Sequence, residues 1–203
     1  QTSAAVIELA PVCEAEDILL STDSVLPRAT GDYVRLRVAA QMRVASIELN
    51  DAMHFNTLTI EMASDMLVAV RWLSAQEQVA SEAVTLQAVG DHFCPGGNYH
   101  RKSRNPASLA VAARSSMDLF DGFVRLRTLS SPVVCAVHGT VAGAGLAIGL
   151  LADYMVADMA ATFQVGCRSK ITYPAGLLRQ TLANAIGPCM ATQLYLTDSI
   201  IGG

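Results

Sequence analysis

Apolar positions along this chain fall into short runs of two periods, and the two kinds alternate. Tyr33, Arg35, Leu36 and Val38, then Val44, Ser46, Ile47 and Leu49 after a short polar turn, read as a β-hairpin. Past the loop at 50–56, Leu58, Met62, Met66, Leu67, Val70 and Leu73 recur at helical spacing, with Thr57 available as the cap. Val84–Val89 is a short apolar strand. It ends in the turn Gly90-Asp91-His92-Phe93-Cys94-Pro95-Gly96-Gly97-Asn98. Arg101–Pro106 is polar and basic, and Pro106 opens a helix whose apolar positions run from Leu109 to Leu126. Val133–Val137 is apolar throughout, as a parallel strand covered on both faces would be. Gly139–Gly145 is a second glycine turn, leading straight into an apolar helix. Tyr154–Ala157 reads as a fourth strand, and Gly176–Leu196 as helix broken near Gly187-Pro188. Strands alternating with helices predict an α/β fold with right-handed crossovers. Residues 1–30 have no clear period and contain Pro11 and Pro27, so they read as a leader or linker ahead of a core domain at 31–203.

Composition narrows this picture. A chain of 203 residues fits one domain with a real core. Apolar residues make up 52% and charged residues 16%, which excludes a disordered chain. A formal charge of −4 provides no broad basic surface for nucleic acid. Cys13, Cys94, Cys135, Cys167 and Cys189 are scattered and form no CxxC pair, so neither a zinc site nor a disulfide framework is expected. Most read as small buried hydrophobes in a reducing compartment, cytoplasmic or organellar, not secreted. The longest apolar run, Val141–Leu151, falls short of the ~20 residues a membrane helix needs and reads as a buried helix. No signal peptide is visible, and Gln1 in place of Met leaves an excised targeting segment open.

The two glycine turns carry the candidate chemistry. Each joins a buried strand to a helix, where glycine lets the backbone approach a ligand and the helix start leaves N–H groups without intrahelical partners. Two such turns on neighbouring strands can aim two N–H donors at one oxygen, an oxyanion hole. Neither turn has the GxxxxGK[ST] spacing of a phosphate loop, nor the spacing of a dinucleotide fingerprint. A GxSxG nucleophile turn is absent.

The motifs Phe93-Cys94-Pro95-Gly96-Gly97-Asn98 and Pro132 through Asp153, containing His138-Gly139-Thr140-Val141-Ala142-Gly143-Ala144-Gly145, resemble those of the crotonase (enoyl-CoA hydratase/isomerase) superfamily. Phe163 and Pro174 also fall in register, and the likeness covers roughly Tyr33 to Thr197. The resemblance implies a spiral of ββα units, with the family's C-terminal helical part apparently absent from this chain. It implies a homotrimer or hexamer, and a CoA or acyl-carrier (phosphopantetheine) thioester as ligand, with no other cofactor and no metal. By register the oxyanion donors are the N–H groups of Gly97 and Ala144, the latter in place of the family's middle glycine. The alanine's Cβ is expected either to narrow the pocket or to alter the local backbone.

The departures limit the activity. The two glutamates used in hydration fall by register on Ala147 and Cys167, and the isomerase glutamate also falls on Cys167. The dehalogenase aspartate falls near Ala175. Hydration is therefore not expected. His100 and Tyr99, close after the first donor, are candidate acid–base groups. Cys167 and Tyr173 lie on the same expected wall. Arg101, Lys102 and Arg104 could meet a CoA or carrier phosphate, or form a solvated face. His138 is expected to be a hydrogen-bonded core histidine, His92 to be exposed turn surface, and His54 to lie near the CoA end. Two functions remain. One is an enzyme that stabilises a thioester enolate for decarboxylation or double-bond migration, similar to members of polyketide assembly that lack the glutamate pair. The other is an inactive crotonase scaffold serving as a subunit of a larger complex.

Overall fold

A computed structural model describes residues 33–39, 43–75, 82–97, 118–169, 174 and 176–202. The leader at 1–30 lies outside them.

The hairpin forms as predicted. β1 (Val34–Ala39) and β2 (Val44–Leu49) pair antiparallel, with Leu36 opposite Ile47. Alternation places Ala45, Ile47 and Leu49 inward at no exposure. On the opposite face Glu48 lies 3.7 Å from Arg35 and 3.8 Å from Arg37. Helix α1 (Ile60–Ala75) buries Met62, Met66 and Val70. Its cap is Thr59, whose hydroxyl accepts the Met62 N–H at 3.2 Å, and not Thr57. Leu58 stays outside the helix because its N–H is bonded to Gly96.

β3 (Ala83–Ala88), β4 (Val133–Val137) and β6 (Tyr154–Ala157) extend the sheet in the order β1-β2-β3-β4-β6, parallel from β2 onward. Helix α2 is described over 118–124 and tightens into a 3-10 turn at Arg125–Thr128. The start predicted at Pro106 lies outside the described residues. Phe123 and Leu126 pack into one core with Ile47, Met66, Leu86 and Cys135.

A second sheet was not legible in the apolar pattern. β5 (Thr140–Ala142), β7 (Thr162–Gln164) and β8 (Ile201–Gly202) form it, with β5 parallel and β8 antiparallel to β7. The apolar run Val141–Leu151 is therefore not one helix. Val141 and Ala142 belong to β5, and helix α3 spans only Ala144–Gly149. The tail forms α4 (Leu178–Ile186) and α5 (Pro188–Thr197), broken at Gly187 as predicted.

The repeating unit is then plain. β4-β5-α3 and β6-β7-α4 each send a first strand to the large sheet, a second to the small one, and close with a helix. β3 is followed in the same way by isolated parallel bridges, Cys94 with Val141 and Gly97 with Leu58, which extend the small sheet ahead of β5. This ββα spiral brings the first glycine turn alongside the second. Among the described residues no helix is long and apolar enough to cross a membrane.

Candidate functional site

The two glycine turns interlock through backbone. The Cys94 N–H donates to the Thr140 carbonyl at 3.3 Å, and the Ala142 N–H returns to the Cys94 carbonyl at 3.1 Å. Gly145 packs against that same carbonyl: a Cβ there would lie 1.9 Å from the Cys94 oxygen. Gly96, at φ +118°, faces the second turn, where a Cβ would lie 3.3 Å from the Ala142 oxygen and 3.9 Å from the Ala144 nitrogen.

Peptide planarity sets the direction of the two N–H groups. The C=O and N–H of one trans peptide point opposite ways. The Gly96 carbonyl accepts the Leu58 N–H at 2.9 Å, so the Gly97 N–H in the same plane points away from Leu58. The Gly143 carbonyl accepts the Ala147 N–H at 3.0 Å along α3, so the Ala144 N–H points out of the helix start. Among the described residues neither N–H has a hydrogen-bond partner. A Cβ on Gly97 would meet nothing within 4 Å.

Ala144 lies outside the left-handed region. Gly143, at φ 52° and ψ −111°, supplies the backbone conformation that an L side chain rarely adopts. Gly145 supplies the close approach. Ala144 sits between them as the first residue of α3 and is not among the residues with positive φ. The flanking glycines therefore carry both special requirements of this turn.

The two positions expected by register to match the family's glutamates are buried and carry no acid. Ala147 lies on α3 at 1% exposure, and Cys167 in the turn after β7 at 4%. Tyr99, His100, Arg101, Lys102, Arg104, Tyr173 and Ala175 lie outside the described residues. Cys94, between the two turns, is fully buried; burial pushes its thiol up to about 11, only partly offset by backbone hydrogen bonds to Gly96 and Leu58. Burial also pushes the Cys135 thiol up. Cys189 is exposed.

Two histidines differ from expectation: His92 is not exposed turn surface, and His138 is hydrogen-bonded but lies outside the core. His92 is half-buried and structural: its Nδ1 accepts the Thr140 N–H at 3.1 Å, and its ring tilts against Phe55 with centroids 5.4 Å apart. His138 is half-buried and bonded through Nε2 to the Gly90 carbonyl at 2.8 Å. His54 is exposed beside Asp51 at 2.8 Å. Among the described residues no group of three or more His, Cys, Asp or Glu is placed to hold a metal ion.

Two residues that order this end of the molecule were missed from sequence. Asn56, fully buried in a left-handed conformation, donates through Nδ2 to the carbonyls of Val89 and His92 at 2.7 and 2.9 Å. It also accepts the Asp51 N–H at 2.8 Å. Asp198 ends α5 and binds the turn that carries Cys167. The signal for both was limited to residue type, since Asn and Asp tolerate left-handed backbone, while most of their side-chain partners are distant in sequence.

A ββα spiral with two N–H groups turned outward from interlocked glycine turns defines a class. Residues 39–203 match the enoyl-CoA hydratase/isomerase family, and the chain belongs to it. Among curated relatives, it is 28% identical over 164 residues to the probable enoyl-CoA hydratase EchA14 of Mycobacterium tuberculosis, covering 81% of this chain and 62% of that protein. It is 35% identical over 119 residues to 6-oxocyclohex-1-ene-1-carbonyl-CoA hydrolase of Thauera aromatica, covering 58% of this chain and 31% of that one. Among solved structures, an enoyl-CoA hydratase/carnithine racemase of Magnetospirillum magneticum superposes with TM-score 0.77 at 20% identity, over 86% and 64% of the two chains. A putative enoyl-CoA hydratase of Thermobifida fusca, solved in complex with CoA, superposes with TM-score 0.74 at 21% identity, over 84% and 66%. This chain spans about three fifths of the length of EchA14.

Proposed function

We propose that this chain binds an acyl thioester, on CoA or a carrier protein, with its carbonyl oxygen at the Gly97 and Ala144 N–H groups, and stabilises the enolate for decarboxylation or double-bond migration instead of hydration. One observation carries the reading: two outward N–H groups without partners among the described residues, on turns tied together through backbone, with buried Ala147 and Cys167 at the positions that register assigns to the family's carboxylates. A donor of this kind contributes about 3–4 kcal/mol to stabilising a developing oxyanion. Hydration needs, besides that oxygen site, a carboxylate to activate water, and neither position has one. Tyr99 or His100 would then move the proton at the α- or γ-carbon, Tyr173 would donate from the wall, and Arg101, Lys102 and Arg104 would meet the CoA or carrier phosphate. Cys167 as a nucleophile is the weaker part of the reading, since at 4% exposure it packs as a small apolar wall residue. The assembly expected is a homotrimer or hexamer.

Malonyl- and glutaconyl-type thioesters test this directly. Turnover that falls on His100→Ala or Tyr99→Phe is the expected result, with no heavy oxygen taken up from labelled water into crotonyl-CoA. Absence of both turnover and thioester binding would overturn it. The same buried Ala147 and Cys167 also suit a second reading, a retired site on a scaffold subunit. Calorimetry showing no binding of CoA or acyl-carrier thioester, with co-purification of fixed partners, would establish that reading instead.

A further inference from the structure

Asp198 closes α5 with left-handed backbone, at φ 52° and ψ 31°. Its carboxylate reaches back to the turn after β7. One oxygen accepts the Gly166 N–H at 2.6 Å and the other accepts the Ser169 N–H at 2.8 Å. Its backbone carbonyl accepts from Gln164 Nε2 at 3.0 Å. Beside it the Arg168 guanidinium donates to the Leu196 carbonyl. One residue thus takes hydrogen bonds from three members of the segment 164–169.

That segment touches the site twice. It carries Cys167 in the wall, and it holds the residue before the second donor. The Gln164 carbonyl accepts the Gly143 N–H at 3.1 Å, and a Cβ on Gly166 would lie 3.6 Å from the Gly143 nitrogen. Gly143 is bonded covalently to Ala144, so a displacement of 164–169 is passed to the peptide plane that bears the Ala144 N–H.

We infer that Asp198 is a positioning residue: through Gly166, Ser169 and Gln164 it fixes the 164–169 segment against Gly143, and so sets the aim of the Ala144 N–H at the thioester oxygen. The ligand half of this inference rests on the function proposed above; the mechanical half does not. The competing explanation is that Asp198 serves only to end α5 in a left-handed conformation. Glycine does that at least as well as aspartate. Asp198→Gly therefore separates the two roles: it keeps the helix end and removes the carboxylate.

The test uses the full chain as wild type, Asp198→Gly and Asp198→Asn. Hydrogen–deuterium exchange is followed on peptides covering 143–145 and 164–169. Binding of acetoacetyl-CoA is followed by the ultraviolet absorbance of its enolate, with CoA alone as the control. Asp198→Gly should exchange about tenfold faster in both segments and bind acetoacetyl-CoA about tenfold more weakly, the scale of one lost hydrogen bond, with CoA affinity unchanged. Asp198→Asn, which keeps an acceptor oxygen and left-handed tolerance, should recover part of the loss. If Asp198→Gly exchanges and binds as wild type does, the inference is overturned. If wild type binds acetoacetyl-CoA no better than CoA, the enolate reading falls. Exchange at 143–145 then decides Asp198 alone: faster sustains the positioning role, unchanged overturns it. Should Asp198→Gly fail to fold, the exchange of Asp198→Asn decides in the same way.

Discussion

The Cα of Gly145 rests against the carbonyl oxygen of Cys94, leaving no room for a single methyl group: an added Cβ would sit 1.9 Å from that oxygen and 2.8 Å from the Cys94 side chain. This contact joins the start of α3 to the turn that follows β3. Because the obstruction is backbone and fully buried, the neighbour cannot rotate away.

Gly145→Ala should therefore destabilise the fold by about 3 kcal/mol, the upper end of overpacking costs. Gly97→Ala, whose new methyl meets nothing within 4 Å, should stay within about 0.5 kcal/mol of wild type. Urea denaturation of the two variants compares them. Equal midpoints would show that the turns are not locked as described.

Asn56 ties the 50–56 loop to the turn after β3 with one side chain. Asn56→Ala removes its hydrogen bonds to Val89, His92 and Asp51 and leaves a residue with a Cβ at φ 55°. A loss of about 3 kcal/mol is expected. Asn56→Gly should lose less, since glycine restores the backbone freedom though not the bonds. Thermal melts that rank wild type above Gly above Ala would bear this out.

The thiols should separate by burial. Native protein treated with iodoacetamide at pH 8 should be modified at exposed Cys189, with Cys94 and Cys135 reacting only after denaturation; peptide mapping reads the result. Cys94 also predicts an alkaline effect. Its thiol rises in the fold from 9.0 to about 11, so the neutral form is favoured in the native state. Its contribution is complete below pH 9 and is lost as pH climbs from 9 towards 11. Cys94→Ala should flatten that part of a stability profile.

Asp198 predicts the opposite limb. Partial burial raises its pKa, but the hydrogen bonds from Ser169 and Gly166 and the charge of Arg168 outweigh it and hold the carboxyl below its ordinary range. A depressed carboxylate stabilises the fold above its unfolded pKa and loses that contribution as pH falls through its folded value. Asp198→Asn should lower stability at neutral pH and flatten this part of the acid transition. Acid titration followed by circular dichroism compares the two proteins.

The large sheet and its helices could be read from sequence because their residues repeat. Ala45, Ile47 and Leu49 alternate, and Met62, Met66 and Val70 recur every four, so burial writes itself into the pattern. β5, β7 and β8 could not be read that way: two or three residues contain too little of a period-two signal, and Val141-Ala142 merges with the apolar helix after it. The candidate donors were legible because Gly96, Gly143 and Gly145 mark strained or crowded backbone, which leaves a trace in residue type. Asp198 was not, because its partners at Gly166 and Ser169 lie about 30 positions away and their share is main-chain N–H, which any residue supplies. His92 misled because a histidine in a turn looks solvated until the Thr140 amide is found on its ring.

The strand order has a kinetic consequence. Among the strands of the large sheet only β1 and β2 are joined by a tight connection. Val44 instead finds Ala83, and Val84 finds Val133, so loops of about 40 and 50 residues must close before those parallel ladders return any free energy. The hairpin β1–β2 is then the natural nucleus, and β2 must wait with one unpaired edge until β3 arrives. Slow refolding, and a window of aggregation that narrows as the protein is diluted, are the expected signature of this order of assembly.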